Sequence, residues 1–147
     1  MKSEQLYQLV WMSRPLMQAA EACVEQGLVE TDLTVRMRAV LEILRAHGDL
    51  PVPDIAVKLE IKRQYVQVMV NEALSSGLIK RCPNPRHKRS SLLTLTDRGR
   101  GLIEEVMAKE MELIQEIGAD LSDEDVSSAL NVVLAVMAKL KAKAGQT

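Results

Sequence analysis

Apolar side chains recur at helical spacing near both ends of the chain. Residues 4–26 keep this spacing and are followed by Gly27, which predicts a first helix that stops at this glycine. Pro15 leaves two alternatives, because proline inside a helix removes a hydrogen bond. It kinks one long helix, or it lies in the first turn of a second helix that Ser13 caps.

Three shorter helices are predicted in the next part of the chain. One extends from Thr34, a suitable N-cap, to Gly48. Pro53 favours the first turn of another, because its missing N–H needs no partner there. The last covers residues 63–76 and ends at Gly77, and its inward stripe consists of Val66, Met69, Val70 and Ala73. Two short helices joined by a tight turn form a helix-turn-helix.

The spacing of apolar residues changes to the strand period after this motif. Segments 79–82 (IKRC) and 91–96 (SLLTLT) flank a loop in which Pro83 and Pro85 disfavour helix, which predicts a β-hairpin. Helical spacing then returns over residues 97–119, with Thr96 as a cap.

A final helix is predicted to begin at Ser122. A winged unit of about 60 residues is too small to cover the apolar sides of the first and the two last helices, so we expect these sides to cover one another across a symmetric dimer. The predicted fold is mainly α-helical with a small β-hairpin. It comprises a winged helix-turn-helix region at residues 33–100 and a helical dimerisation region at 1–30 and 101–147, within one unit covering residues 1–147.

Charge is distributed unevenly, although the formal net charge is only −1. Between Lys62 and Arg100 the chain carries nine lysines and arginines but only two carboxylates, Glu72 and Asp97. Because the local field attracts a polyanion more than the total charge does, this segment is a candidate phosphate-binding surface.

The sequence lacks the patterns typical of disulfide-bonded proteins, metal-binding proteins, enzymes and membrane proteins. Two cysteines and two histidines provide neither a disulfide framework nor a zinc site with the usual spacing, which favours a reducing cytoplasm. We identify no glycine-rich phosphate loop and no nucleophile beside a histidine and an acid, so no enzyme, catalytic residue, metal or cofactor is predicted. The apolar runs are also too short for a membrane span, so no membrane partner is expected.

The outer face of the helix at residues 63–76 carries side chains that are able to contact DNA. Glutamine and asparagine can pair with adenine in the major groove, tyrosine and valine can touch a thymine methyl group, and cations can hold phosphate. The candidates are Lys62, Arg63, Gln64, Tyr65, Gln67, Val68 and Asn71.

The order of these elements resembles the MarR family of winged-helix transcriptional regulators over nearly the whole chain. The resemblance rests on residues 32–44, 54–81 and 84–105, which are similar to the second helix, the helix-turn-helix, and the wing with its following helix. The family's wing typically has Asp-x-Arg-x-x-Arg before a strand and then Leu-Thr-x-x-Gly. The matching positions here are Asn84, Arg86, Arg89, Leu95, Thr96 and Gly99.

Three positions depart from the family pattern. Asn84 replaces an aspartate that would help to fix a wing arginine, Glu60 occupies a turn position that is often glycine, and Lys62 stands where serine or threonine would cap the recognition helix. We expect the wing to differ in pose and the turn to be held less tightly.

The resemblance implies a homodimer that binds a pseudo-palindromic site in double-stranded DNA, most simply as a repressor. The helix at residues 63–75 would enter the major groove, and the wing tips would reach the flanking minor grooves. The candidate wing residues are Arg86, His87, Lys88, Arg89 and Ser90. The alternative is a winged-helix protein-interaction module or antirepressor that reads no DNA sequence.

Regulation is predicted from the resemblance as well, since family members often respond to small molecules or to oxidation of a cysteine. Candidate pocket residues for a small-molecule effector are Tyr7, Trp11, Arg14 and Met37. Cys82 is the candidate redox residue, because neighbouring Arg81 favours its thiolate. Cys23 lies between Glu21 and Glu25, whose negative charges do not favour a thiolate.

Overall fold

The computed structural model describes residues 1–146 and consists of helices with one two-stranded antiparallel sheet. The elements are α1 (Lys2–Leu28), α2 (Val35–His47), α3 (Val52–Leu59), α4 (Arg63–Ser75), β1 (Ile79–Cys82), β2 (Leu92–Leu95), α5 (Asp97–Ile117) and α6 (Asp123–Lys143). The predicted fold class is confirmed. The chain divides into two compact units, residues 19–110, here called the winged unit, and residues 1–18 with 111–147, here called the helical unit.

The first helix passes through Pro15 without a break, which settles the two alternatives in favour of one long helix. Ser13 does not cap a second helix, because its hydroxyl donates to the carbonyl of Val10 at 2.6 Å. Gly27 also lies inside the helix, which ends one residue later at Leu28, so the predicted stop was wrong by one residue.

The predicted core of the winged unit is confirmed. The stripe of α4 is buried, and it packs with apolar side chains of α2, α3, the hairpin and the first half of α5. Thr34 caps α2 by accepting a hydrogen bond from the N–H of Met37 at 3.2 Å. Gly77 ends α4 with a φ of 72°, in the left-handed region, and Leu78 beside it is fully buried.

The hairpin pairs Ile79 with Leu95 and Cys82 with Leu92. An additional bridge, which no local sequence pattern predicts, joins β2 to the segment between α2 and α3. The N–H of Leu93 donates to the carbonyl of Leu50 at 2.9 Å, and Leu50 donates in return at 3.3 Å. Strand β2 is therefore hydrogen-bonded along both edges, to β1 after α4 and to Leu50 before α3.

The start of α5 contacts the end of α4 through three successive carbonyl groups. The guanidinium of Arg98 donates to the carbonyl of Ser76 at 2.6 Å, and the hydroxyl of Thr96 donates to that of Gly77 at 2.8 Å. The N–H of Thr96 donates to the carbonyl of Leu78 at 3.1 Å. The carbonyls of residues 76–78 follow the last helical residue, Ser75, so these donors attach the chain that leaves α4 to the start of α5.

Gly99 allows the backbone at the start of α5 to lie against the backbone that follows α4. A Cβ atom at this position would lie 1.9 Å from the carbonyl oxygen of Leu78, a backbone atom that cannot move independently. The hydroxyl of Thr96 also accepts a hydrogen bond from the N–H of Gly99 at 3.0 Å, so the predicted cap of α5 is confirmed. We refer to residues 76–78 and 96–99 as the α4–α5 junction.

We predict that Gly99→Ala lowers the free energy of unfolding by about 3 kcal/mol, because the new methyl group must force the two backbones apart. Gly101→Ala is the matched control, since a Cβ there meets nothing within 4 Å. That substitution should raise the stability by up to about 1 kcal/mol, the usual gain of alanine over glycine in a helix. Urea denaturation of both variants gives the two values, and similar effects would contradict the proposed close contact.

Candidate nucleic-acid interface

Helix α4 presents one face to solvent while its opposite stripe is buried. All seven recognition-helix candidates are exposed, and they occupy the N-cap and the outer face of this helix: Lys62, Arg63, Gln64, Tyr65, Gln67, Val68 and Asn71. Tyr65 is 60% exposed and Val68 is 49% exposed, so the face also offers apolar contact area to a partner. The face combines polar and apolar groups of the kind that contact base edges.

Two amide side chains on this face are held in place by each other. The Nε2 of Gln67 donates to the Oδ1 of Asn71 at 3.0 Å, one turn further along the helix. This bond leaves the Oε1 of Gln67 as an acceptor and the Nδ2 of Asn71 as a donor. An acceptor and a donor are the two kinds of group that pair with N6 and N7 of adenine.

The turn before α4 carries two of the departures from the family pattern. Glu60 ends α3 in the left-handed conformation with a φ of 55°, the one positive φ of a non-glycine residue in the described chain. Lys62 occupies the N-cap of α4 and makes no side-chain capping bond. Helix α4 therefore begins with a cation where a hydroxyl would satisfy a free N–H group.

The wing tip is exposed and basic. Arg86, His87, Lys88 and Arg89 are exposed and Ser90 is half-buried, as expected for a loop between two strands. Asn84 shapes this loop, since its Oδ1 accepts a hydrogen bond from the backbone N–H of Arg86 at 3.0 Å. The asparagine thus forms a turn of its own and supplies no charge to pair with a wing arginine.

A cleft of about 320 Å³ separates α4 from the wing. It is lined by candidates from both elements, Arg63 and Gln67 on α4 and Arg89 and Ser90 on the wing. Arg81 of β1 also lines this cleft, although the sequence indicated it only as one cation of the basic segment. The available signal was its place in the strand that leads directly into the basic loop.

An ion pair holds α2 to α5 behind the site. The guanidinium of Arg38 donates to both carboxylate oxygens of Glu110, with Nε to Oε2 at 2.7 Å, and to Glu42 at 2.7 Å. The hydrogen bond with Glu110 raises the pKa of Arg38 above its ordinary value, while desolvation opposes the rise. Since arginine stays protonated at any ordinary pH, the guanidinium side of this contact keeps its charge.

The candidate effector residues differ in their surroundings. Tyr7 and Trp11 contact each other edge to face on α1, with ring centroids 6.1 Å apart, and both are exposed, as is Arg14. Met37 is a buried residue of the winged unit whose sulfur lies 3.5 Å from the hydroxyl of Ser76. A role of these residues in binding an effector remains a prediction.

Cys82 is half-buried in β1, and Cys23 is exposed on α1. Over residues 1–146 no three His, Cys, Asp or Glu side chains converge as a metal site would require. No helix in that same range is both long and apolar enough to cross a membrane.

Comparison with known proteins identifies the family. The MarR family model matches residues 31–90. The repressor MdtR of Bacillus subtilis is 30% identical over 112 residues, which cover 76% of this chain and 69% of that protein. These matches indicate a transcriptional regulator, so the prediction that the chain is not an enzyme is confirmed.

Solved structures agree with this result. The MarR family transcription regulator SP03579 is 33% identical with a TM-score of 0.90, covering 99% of this chain and 97% of that one. A mutant MarR of Escherichia coli, solved in complex with operator DNA, shares the fold at 22% identity with a TM-score of 0.79, covering 90% and 95% of the two chains. This protein therefore belongs to the MarR family of winged helix-turn-helix transcriptional regulators.

Proposed function

We propose that the protein is a homodimeric repressor that binds a pseudo-palindromic operator in double-stranded DNA. The carrying observation is the outward face of α4, where hydrogen-bonding and apolar side chains stand beside an exposed basic wing. A recognition helix of this kind lies in the major groove, and the wing reaches the flanking minor groove. Two of the similar proteins support the proposal by their descriptions, one as a repressor and one as a complex with operator DNA.

Selection of duplexes from a random pool at a fixed salt concentration tests this function. We expect an inverted repeat whose half-sites are centred about 10 base pairs apart, because a two-fold dimer presents its α4 helices one DNA turn apart. Weak binding without sequence preference would contradict the proposal and favour the protein-interaction alternative.

Dimerisation is proposed from the apolar surface of the helical unit. No residue between Asp123 and Lys143 in α6 is buried, and α1 and α5 expose large apolar side chains too. Leu16 is 71% exposed, Ile114 is 60% exposed and Leu130 is 57% exposed. Monomeric proteins rarely leave so much apolar surface in water, and a symmetric dimer buries the same patch on both copies.

We predict that Leu130→Glu converts the protein from a dimer to a monomer, because the carboxylate would have to be buried in an apolar interface. Operator affinity should fall by about tenfold or more, since two half-sites would no longer be bound by one linked particle. Val57→Glu is the control for the mass measurement, because Val57 is 75% exposed on α3 in the winged unit. Sedimentation measures the mass of both variants, and a dimeric Leu130→Glu protein would exclude this interface.

Lys62 is proposed to favour DNA binding at the expense of helix stability. Lys62→Ser should raise the free energy of unfolding by about 1 kcal/mol, because the hydroxyl can cap α4. The same change should weaken DNA binding and lower the salt dependence of the affinity by about 0.9 for each phosphate that the variant no longer binds.

Lys62→Met separates these two effects, because it removes the charge without adding a capping group. It should weaken DNA binding without the gain in stability. Denaturation and DNA titrations over a range of salt concentrations give both quantities. If Lys62→Ser bound DNA as well as the parent, the proposed phosphate contact would be ruled out.

Release from the operator by a small molecule or by oxidation is the remaining part of the proposal. Tyr7, Trp11, Arg14 and Met37 are the candidates for the first, and Cys82 is the candidate for the second. The contact between Tyr7 and Trp11 and the position of Cys82 beside the basic hairpin loop support these assignments.

A further inference from the structure

Three arginines meet in the cleft between α4 and the wing. Arg63 comes from the first turn of α4, Arg81 from β1 and Arg89 from the wing. The other lining residues are Val52, Pro53, Gln67, Val70, Ser90, Ser91 and Leu93, so the lining contains no carboxylate. Like charges gathered around one concave surface repel each other unless an anion lies between them.

The three guanidinium groups also lack partners within the described chain. None of them forms a hydrogen bond or an ion pair with residues 1–146. Other arginines of the winged unit do pair with carboxylates, among them Arg36 with Glu72, Arg45 with Glu104 and Arg98 with Asp32, whereas Arg86 and Arg100 form no such pair within the described residues. The three cleft arginines are therefore free to bind an external anion, and each keeps its fork of N–H donors available.

We propose that this cleft is a phosphate clamp, in which Arg63, Arg81 and Arg89 together hold a backbone phosphodiester of the bound duplex. The inference rests on the proposed DNA-binding function and names a contact within it. Guanidinium groups bind phosphate oxygens in pairs of parallel hydrogen bonds, and a phosphate offers acceptors to more than one arginine. The hydroxyls of Ser90 and Ser91 at the rim provide further donors.

In this proposal the two wing arginines, Arg86 and Arg89, have different roles in DNA binding. Arg89 lines the cleft, whereas Arg86 does not and lies at the exposed tip. A phosphate contact is the same at every sequence, but an arginine in the minor groove gains from the narrow groove of A/T-rich DNA. Arg86 should therefore influence sequence preference, and Arg81 should influence affinity for all sequences alike.

The experiment measures binding of the full-length protein to a duplex of random sequence over a range of salt concentrations. Such a duplex offers the same phosphates whether or not the protein reads a sequence, so the clamp is tested separately from operator recognition. Arg81→Met should lower the affinity about tenfold per subunit, as expected when a charge-assisted hydrogen bond is removed. The triple variant with methionine at positions 63, 81 and 89 should lower the salt slope by about 0.9 per subunit.

Arg45→Met is the charge-matched control, because Arg45 pairs with Glu104 outside the cleft. It should leave the salt slope unchanged, and thermal unfolding of each variant checks that the fold is retained. Operator duplexes obtained by selection, with neutral methylphosphonate groups at single positions, identify the phosphate, because the operator fixes the register of the bound protein. Neutralising the clamped position should weaken the parent but not Arg81→Met.

Four results would overturn the clamp. The triple variant could keep the salt slope of the parent, Arg45→Met could lower it equally, or Arg81→Met could respond to every methylphosphonate as the parent does. Inorganic phosphate at millimolar concentration could bind the protein while no methylphosphonate weakened DNA binding. The site would then bind free phosphate rather than DNA, which also contradicts the proposal. If selection yielded no inverted repeat but the salt slopes of DNA affinity were as expected, the clamp would stand and only the proposed reading of a DNA sequence would be rejected.

Discussion

The rest of the winged unit depends on the α4–α5 junction, where α5 begins against the backbone that ends α4. Three carbonyl groups in succession, from Ser76 to Leu78, each receive a donor from the segment that starts α5. Gly99 lets the two backbones touch, because no other residue lacks a Cβ. The contact fixes the end of α4 and the strand that leads out of the wing, so both elements that we propose to contact DNA take their position from one place.

The same junction explains the sequence motif at the end of the wing. Leu95 is buried in the core, Thr96 joins two helix ends through one hydroxyl, and Gly99 provides the close contact. Arg98 adds an ion pair to Asp32 at 2.5 Å, which connects the segment before α2 to this point. Each of these positions thus has a physical reason in packing or hydrogen bonding, and none of them needs to contact DNA.

Most of the fold could be predicted from the sequence because local signals agreed with the final packing. The stripe of α4, the caps at Thr34 and Ser122, and the alternation of Leu93 and Leu95 are each visible within one element. Pro15 could not be decided in this way, since its effect depends on whether an exposed helix tolerates one missing bond. The bridge between Leu50 and Leu93 and the cleft at Arg81 join distant segments, and no local pattern contains them.

The proposed function requires that α4 and the wing of two copies bind one duplex with two-fold symmetry. Hydroxyl-radical footprinting on a duplex obtained by selection measures this directly, because it reports each protected sugar on both strands. We expect two symmetric protected regions centred about 10 base pairs apart, with further protection in the minor grooves that flank them. A single protected region, or uniform protection along the duplex, would contradict this mode of binding.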